Sequence, residues 1–217
     1  MNRRDFSARL AATGFGAATS SLVAGPAWAQ SGAPVEGKQF TKVEPPVPPI
    51  APGKIEVIEF FSYACPHCSA FEPTISAWSK KLPADVAFHR VPVPFLMNFE
   101  NLMRTYYALE TLGLVDTMQA KVFTAIHVER NYLSTPADIA ALMAKNGVDA
   151  AKFTSVFNSF SVASSVTRAK KLMAAYRLDG VPTMTVQGRY ATSPGLAGGP
   201  TQATDVVDYL VQRARKA

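Results

Sequence analysis

The two cysteines of this 217-residue sequence, Cys65 and Cys68, are the residues best suited to chemistry. They flank Pro66 and His67, after an apolar run typical of a strand and before a helical pattern. Two thiols at this spacing can form an intramolecular disulfide, and a helix N-terminus offers N–H groups and partial positive charge to a thiolate. The pattern predicts a redox-active pair in which Cys65 is the exposed nucleophile and Cys68 resolves a mixed disulfide.

Metal binding is the alternative use of such a pair. Zinc would need further soft ligands, and the remaining candidates are His67, His89 and His127, without a second cysteine pair. A structural disulfide is not required either, because a chain of this length with 48% apolar residues buries enough surface to fold without a disulfide framework. We therefore predict redox chemistry at the pair, with no metal or organic cofactor.

The charge distribution argues against a nucleic-acid partner. The formal net charge is +6, from 22 basic and 16 acidic residues. The basic residues are scattered and form only small local groups, whereas a nucleic-acid-binding protein would present a clustered basic face. We expect a mixed, solvated surface.

Residues 1–29 have the order of an export signal: a basic start, an apolar middle of small residues, and small residues again at 27–29. The pair Arg3-Arg4 is similar to a twin-arginine signal, although an ordinary Sec signal that begins with two arginines explains it equally well. Either route places the protein outside the cytoplasm. In an oxidising compartment a dithiol can be held as a disulfide and used as an oxidant.

The elements that must position the pair follow from hydrophobic periodicity. A buried strand is predicted over residues 54–61, and a helix follows Cys68 as far as residue 82, with a kink at Pro73. The other predicted elements are strands over 39–43, 86–93, 183–186 and 189–192, helices between 96 and about 178, and a helix over 201–215.

The residues around the pair resemble a known family. The run Glu59-Phe60-Phe61-Ser62-Tyr63-Ala64-Cys65-Pro66-His67-Cys68 resembles the active-site segment of the DsbA family of periplasmic thiol:disulfide oxidoreductases. The run Gly180-Val181-Pro182-Thr183 resembles the second active-site loop of that family. A Cys-x-x-Cys pattern alone is common, but this combination is specific. With the helical region and the export signal, the resemblance covers nearly all of the chain after residue 29.

The resemblance implies an α/β architecture, a thioredoxin fold with an inserted all-helical domain. The implied division is an export signal over 1–29, a thioredoxin-like domain over 30–95 and 171–217, and a helical insertion domain over 96–170. The implied function is that of a periplasmic dithiol oxidase of exported proteins with reduced cysteines. Its implied partner for reoxidation is a membrane quinone-linked thiol oxidase of the DsbB type, and a monomer suits the family.

The two residues between the cysteines tune the pair. A lower pKa of Cys65 stabilises the reduced form and makes the disulfide a stronger oxidant. A protonated His67 would place positive charge near the Cys65 thiolate, and Pro66 fits the first turn of a helix. A solvated histidine on the first turn is the alternative interpretation of His67.

Three charged residues are further candidates. Glu59 lies in an apolar strand, where an unpaired carboxylate is costly, so it has a partner or a raised pKa, unless it reaches solvent at a sheet edge. The resemblance places Glu59 beneath the disulfide as a proton acceptor for the Cys68 thiol. It also matches Glu72 and Arg90 to a charged pair near the site, although a surface ion pair would explain both residues equally well.

The segment before the strand over 183–186 is the candidate for substrate binding. A proline at 182 leaves the backbone groups of Val181 free to pair with an extended peptide. The resemblance implies a cis bond at Pro182 and a substrate-binding loop of Val181, Pro182 and Thr183. From the residues alone, a plain loop proline is the alternative.

Two other functions are compatible with the motif. A reductase or isomerase of the same superfamily would keep the pair reduced and often dimerises through an added N-terminal domain, for which residues 30–53 are too short. A peptide-binding or chaperone module would carry the cysteines as a passive disulfide.

Overall fold

A mixed sheet forms the framework that carries the cysteine pair. The structure is a computed structural model, and it describes residues 32–50, 53–95 and 99–216. The predicted export signal over 1–29 lies outside the described residues. Within them the sheet has five strands in the order β1-β5-β4-β2-β3. The strands are β1 (Thr41–Lys42), β2 (Ile55–Phe61), β3 (Val86–Pro92), β4 (Thr183–Val186) and β5 (Tyr190–Thr192).

Strand β2 lies inside the sheet and leads directly to the cysteine pair. It pairs in parallel with β3 and antiparallel with β4, and its residues from Glu56 to Phe61 are buried. A short run rich in β-branched and aromatic residues is the pattern expected of a strand covered on both faces. Because β2 ends at Phe61, Cys65 follows at the carboxyl end of this strand.

Helices cover the sheet and fill the segment between β3 and β4. Helices α2 and α6 contact β3, whereas α8 contacts β4 and α1. None of the helices in the described residues is long and apolar enough to cross a bilayer. In chain order the helices of the described residues are α1 (Pro66–Ser79), α2 (Phe99–Thr111), α3 (Val115–His127), α4 (Pro136–Lys145), α5 (Ala150–Phe157), α6 (Phe160–Ala175), α7 (Pro194–Ala197) and α8 (Pro200–Ala214).

Local capping explains where the helices of the middle segment begin. Thr135 and Asp138 form a capping box at the start of α4. The Asp149 side chain accepts from the Lys152 N–H at the start of α5, and Ser159 caps α6 in the same way. The predicted α/β architecture, with an all-helical insertion between two parts of the sheet, is confirmed.

Several predicted boundaries differ from the structure. The strand predicted over 39–43 is only Thr41–Lys42, because β1 is an edge strand that pairs with the short β5 alone. Helix α1 ends at Ser79 rather than residue 82, since Pro83 disfavours helical backbone just before it. Helix α1 runs as one element through Pro73, and the four-residue α7 was not predicted.

The helical region and the sheet share one apolar core. A single cluster of buried residues joins Ile58 and Phe60 of β2 to Tyr106 of α2 and Val122 of α3. The chain from Pro34 onward forms one compact unit. The division into segments 30–95, 96–170 and 171–217 stays a prediction about the sequence, and residues 30–31, 51–52, 96–98 and 217 of these segments lie outside the described ranges.

Candidate active site

Cys65 is the N-cap residue of α1. Its φ of −87° and ψ of 119° are extended, and Pro66 follows in the first turn. The Cys65 N–H donates to Ser62 O at 3.0 Å, and the Cys65 carbonyl accepts from the Ser69 N–H at 3.1 Å. Cys68 lies in the first turn of the same helix. The structure thus places both sulfur atoms at the N-terminus of α1, the junction that the sequence predicts.

Both cysteines are free thiols, and both are covered. Cys65 is 4% exposed and Cys68 is fully buried. The prediction that Cys65 is exposed is wrong, because the loop that contains Val181 covers it, with Cys65 Sγ 3.5 Å from Val181 O. The exposed residues of the motif are Pro66 and His67.

The two thiols differ in acidity. The hydrogen bond from the Cys68 thiol, together with the N–H groups of Cys68 and His67 and the charge of His67, lowers the pKa of Cys65 to about 6 against the opposing effect of burial. Burial raises the pKa of Cys68 far above its usual value, and the hydrogen bond to Cys65 raises it further. At neutral pH Cys65 is therefore the thiolate and Cys68 the protonated thiol.

The second loop of the site is fixed to the central strand. The Val181-Pro182 peptide bond is cis, as the resemblance implies. Thr183 begins β4 opposite Phe60 of β2, and its Oγ1 donates to Gly180 O at 2.8 Å. The sheet thereby holds the Val181 carbonyl beside the Cys65 thiol.

Glu59 lies inside the sheet and not at an edge. It is 1% exposed, and its carboxylate Oε2 is 3.4 Å from Arg90 Nε. Burial raises the pKa of Glu59 to about 7, Arg90 opposes that rise, and Glu72 adds to it. The negative charge of Glu59 also contributes to the raised pKa of Cys68, so the carboxyl and the buried thiol are electrostatically coupled.

Glu72 and Arg90 form a buried ion pair, which excludes the surface alternative. Arg90 Nη1 lies 2.6 Å from Glu72 Oε2, and each of the two side chains is 7% exposed. Arg90 Nη2 donates to Ser76 Oγ at 3.1 Å, and Ser76 in turn donates to Glu72. Burial lowers the pKa of Arg90, but the negative charges of Glu59 and Glu72 have the larger combined effect and hold this pKa above its usual value. Helix α1 and strands β2 and β3 thus meet in one charged cluster.

Sequence reasoning missed two contacts of Tyr63. The Tyr63 hydroxyl donates to Gln119, and His127 Nε2 lies 2.8 Å from Tyr63 O. Residues more than 50 positions apart make these bonds, so no local pattern could have indicated them. His127 was weighed as a zinc ligand; in the part of the chain that the structure describes, no group of three or more His, Cys, Asp or Glu side chains could hold a metal ion.

Comparison with known proteins decides the family. A family model described as a DSBA-like thioredoxin domain matches residues 75–206. The chain is 46% identical over 183 residues to the thiol:disulfide interchange protein DsbA of Pseudomonas aeruginosa, an alignment that covers 83% of this chain and 86% of the relative. This chain belongs to the DsbA family.

Other DsbA proteins extend the similarity to the cysteine pair. The thiol:disulfide interchange protein DsbA of Bordetella pertussis is 44% identical over 217 residues, all of both chains, and so spans the motif that precedes residue 75. The crystal structure of Pseudomonas aeruginosa DsbA matches with a TM-score of 0.81 and 45% identity, over 84% of this chain and 95% of that chain. DsbA membership confirms the predicted thioredoxin fold and makes the protein a thiol:disulfide oxidoreductase.

Proposed function

We propose that this protein is a dithiol oxidase of exported proteins and that the Cys65–Cys68 disulfide is the oxidant. The observation that carries the proposal is the geometry of the pair: Cys65 is the N-cap residue of α1, and Cys68 lies fully buried in the first turn of the same helix. The pKa of Cys65 falls to about 6 at the N-terminus of α1, while the pKa of the buried Cys68 rises. A pair whose reduced form is stabilised as a thiolate gives up its disulfide readily.

The reaction proceeds in two exchanges. A substrate thiolate attacks Cys65 Sγ, the bond between the two cysteines breaks, and its electron pair goes to Cys68 sulfur, which then takes a proton. The second thiolate of the substrate attacks the substrate sulfur of the mixed disulfide and releases Cys65 as a thiolate. The substrate loses two electrons and the thiol protons, and the Cys65–Cys68 pair gains the two electrons.

Glu59 is the proposed proton carrier for Cys68. The Cys68 sulfur must gain a proton when the disulfide opens and lose it when the disulfide forms again. A buried carboxyl with a pKa of about 7 can serve in both directions near neutral pH. The cluster with Arg90 and Glu72 holds Glu59 in this state by opposing charges at close range.

The loop of Val181, Pro182 and Thr183 is the proposed substrate-binding segment. It lies over the thiol of Cys65, with the Val181 carbonyl at hydrogen-bond distance. An extended peptide that paired with this loop by main-chain bonds would be recognised without regard to its sequence. Such recognition suits an enzyme that acts on unfolded chains.

The compartment and the partner complete the proposal. The export signal over residues 1–29 and the DsbA relatives support a periplasmic location. Each turnover leaves the pair reduced, so an oxidant must restore the disulfide. We assign this step to a membrane quinone-linked thiol oxidase of the DsbB type.

A pair of single-cysteine variants tests which thiol attacks. In Cys68→Ser, oxidised glutathione should form a mixed disulfide with Cys65 rapidly at pH 7, because Cys65 is a thiolate there. In Cys65→Ser, the buried and protonated Cys68 should react far more slowly. Both variants should fail to oxidise a reduced, unfolded protein; if Cys65→Ser retains this activity, the pair is a passive disulfide and the proposal is wrong.

A reductase or isomerase of the same superfamily is the second candidate. It would share the fold, the motif and the mixed disulfide, but it would keep the pair reduced by receiving electrons. The lowered pKa of Cys65 favours the oxidase, because a stabilised thiolate makes the reduced pair a weak reductant.

A further inference from the structure

Helix α3, in the helical insertion, contacts the segment that leads into Cys65. Tyr63 lies two residues before Cys65 and is 1% exposed. His127 Nε2, at the end of α3, lies 2.8 Å from the Tyr63 carbonyl oxygen. The Tyr63 hydroxyl donates to Gln119, and the Tyr63 ring meets Phe123 edge to face with centroids 5.1 Å apart. One helix of the insertion therefore holds Tyr63 by its main chain, its hydroxyl and its ring.

The bond between His127 and Tyr63 has a defined direction. A carbonyl oxygen has lone pairs and no hydrogen, so it can only accept. The proton of the bond must therefore be on His127 Nε2, whether the imidazole is neutral or charged. His127 is the donor that fixes the direction of the Tyr63 carbonyl.

The fixed carbonyl restrains the backbone ahead of the thiol. The Tyr63–Ala64 peptide unit is held at both ends, since its carbonyl accepts from His127 and its N–H donates to Ser62 Oγ at 3.3 Å. The next N–H, that of Cys65, donates to Ser62 O at 3.0 Å. The two peptide units before Cys65 are thereby held in one arrangement.

This arrangement matters because the Cys65 thiolate depends on directed N–H groups. The backbone N–H groups of His67 and Cys68 stabilise that thiolate. Their directions are set by α1, so rotation of the Tyr63–Ala64 unit would move Cys65 relative to them and weaken the bonds.

We propose that His127 is a positioning residue for the redox reaction: it holds the Tyr63 carbonyl and so keeps the Cys65 thiolate on the N–H groups at the start of α1. The inference rests on the proposed role of Cys65 as the attacking thiol. It gives the helical insertion a direct part in tuning the redox pair, through a residue that touches neither sulfur nor substrate.

Other contacts of α3 hold this helix in the fold, so the effect of His127 on the redox pair can be distinguished from an effect on stability. Val122 and Phe123 are buried in the shared core, and Gln119 is 3% exposed. Val122 and Gln119 anchor α3, and the Phe123 ring also lies 6.1 Å, centroid to centroid, from the ring of His127, which is only half-buried at the end of the helix. Loss of the His127 bond should therefore alter the chemistry of the pair more than the stability of the protein.

Two substitutions at His127 distinguish the hydrogen bond from the ring and its charge. His127→Leu removes the donor, whereas His127→Gln keeps an N–H at similar reach and removes the imidazole. For each purified variant we would measure the pKa of Cys65 from thiolate absorbance and the redox equilibrium of the pair with glutathione. Thr124→Ala, an exposed change on the same helix, is the matched control.

The proposal predicts different pKa values of Cys65 in the two His127 variants. In His127→Leu the pKa of Cys65 should rise by half a unit to one unit, which shifts the equilibrium with glutathione about 3- to 10-fold toward the disulfide. His127→Gln and Thr124→Ala should stay within about twofold of the wild type, a shift of about 0.3 pKa units. If His127→Leu does not fold, His127→Ala removes the donor without adding bulk and carries the same expectation.

Two results would overturn the proposal. Equal shifts in the Leu and Gln variants would assign the effect to the ring or its charge, and no shift in either would make the contact purely structural. An ordinary pKa of Cys65 in the wild-type protein would instead contradict the proposed function, so the two failures are distinguishable.

Discussion

Glu59 of β2 and Arg90 of β3 are register partners in the sheet, and Arg90 Nε lies 3.4 Å from Glu59 Oε2. The same guanidinium bonds Glu72 of α1 at 2.6 Å, so one cation faces two buried carboxylates. Burial raises the pKa of Glu59 to about 7 even beside that cation. The protein interior therefore holds a carboxyl that exchanges a proton near neutral pH and is electrostatically coupled to Cys68.

Glu59→Gln should slow the steps that move a proton at Cys68. The substitution keeps the shape of the side chain but removes the group that carries the proton. We expect the resolution of a Cys65–glutathione mixed disulfide by Cys68 to slow by about 10²-fold, the low end of general acid–base effects. Stopped-flow release of glutathione measures this rate, with Glu110→Gln, an exposed change on α2, as control. Equal rates in Glu59→Gln and the wild type would remove Glu59 from the mechanism.

Arg90→Met should destabilise the protein in a pH-dependent way. It leaves Glu59 and Glu72 buried without their cation, and breaking a buried ion pair in this manner costs about 3–5 kcal/mol. Protonation of the orphaned carboxylates removes the buried charge, so the deficit should shrink as pH falls from 7 to 4. Urea unfolding at both pH values measures it, and Arg90→Lys should recover part of the loss. A deficit that is the same at both pH values would argue that lost packing, rather than charge, causes the effect.

His67→Leu should raise the pKa of Cys65 without restoring its ordinary value. The charge of His67 is one of several causes of the lowered pKa, and the backbone N–H groups and the Cys68 bond remain after the change. We expect a rise of about one unit, equivalent to a tenfold change in the stability of the thiolate. Thiolate absorbance against pH measures the shift. Lys81→Leu, which removes an exposed positive charge beyond the end of α1, should leave the pKa unchanged; an equal shift there would indicate a general charge effect.

The reduced protein should become more stable as pH rises from 6 to 9. Cys65 has a folded pKa of about 6 against a usual value of 9.0, so over this window the unfolded chain binds a proton that the folded protein does not. The contribution is present above pH 9, is lost as pH falls through 6, and is on the order of 4 kcal/mol before solvent screening reduces it. The difference in unfolding free energy between the reduced wild type and Cys65→Ser isolates it. A difference that does not change with pH would show that Cys65 has no lowered pKa.

Local patterns were enough to predict the redox pair and its framework. The apolar run of β2, the first-turn Pro66 and the cysteine spacing together indicate a strand, a helix start and a dithiol. The same reasoning predicted the helices between β3 and β4, because their apolar faces recur at helical spacing. The family resemblance supplied the cis bond at Pro182, which spacing and composition do not indicate.

The three-dimensional features of the site could not be read from the sequence. The prediction that Cys65 is exposed was wrong because Val181, whose loop covers Cys65, is 116 residues away in the chain. The burial of Glu72 and Arg90 depends on how α1 packs on β3, and surface and buried ion pairs have the same residue types. The contact between His127 and Tyr63 joins the helical insertion to the motif over 64 positions. Such long-range contacts depend on the packing of whole elements and leave no periodic signal.

The redox equilibrium of the Cys65–Cys68 pair with glutathione tests the central claim most directly. The purified protein is brought to equilibrium in buffers of known ratio of reduced to oxidised glutathione, and the two thiols are then trapped and counted. A dithiol oxidase should have a potential well above the glutathione poise, so that the pair is largely reduced even in oxidising buffers. A potential near that of thioredoxin, roughly −270 mV, would contradict the account, because the pair would then prefer to remain a disulfide.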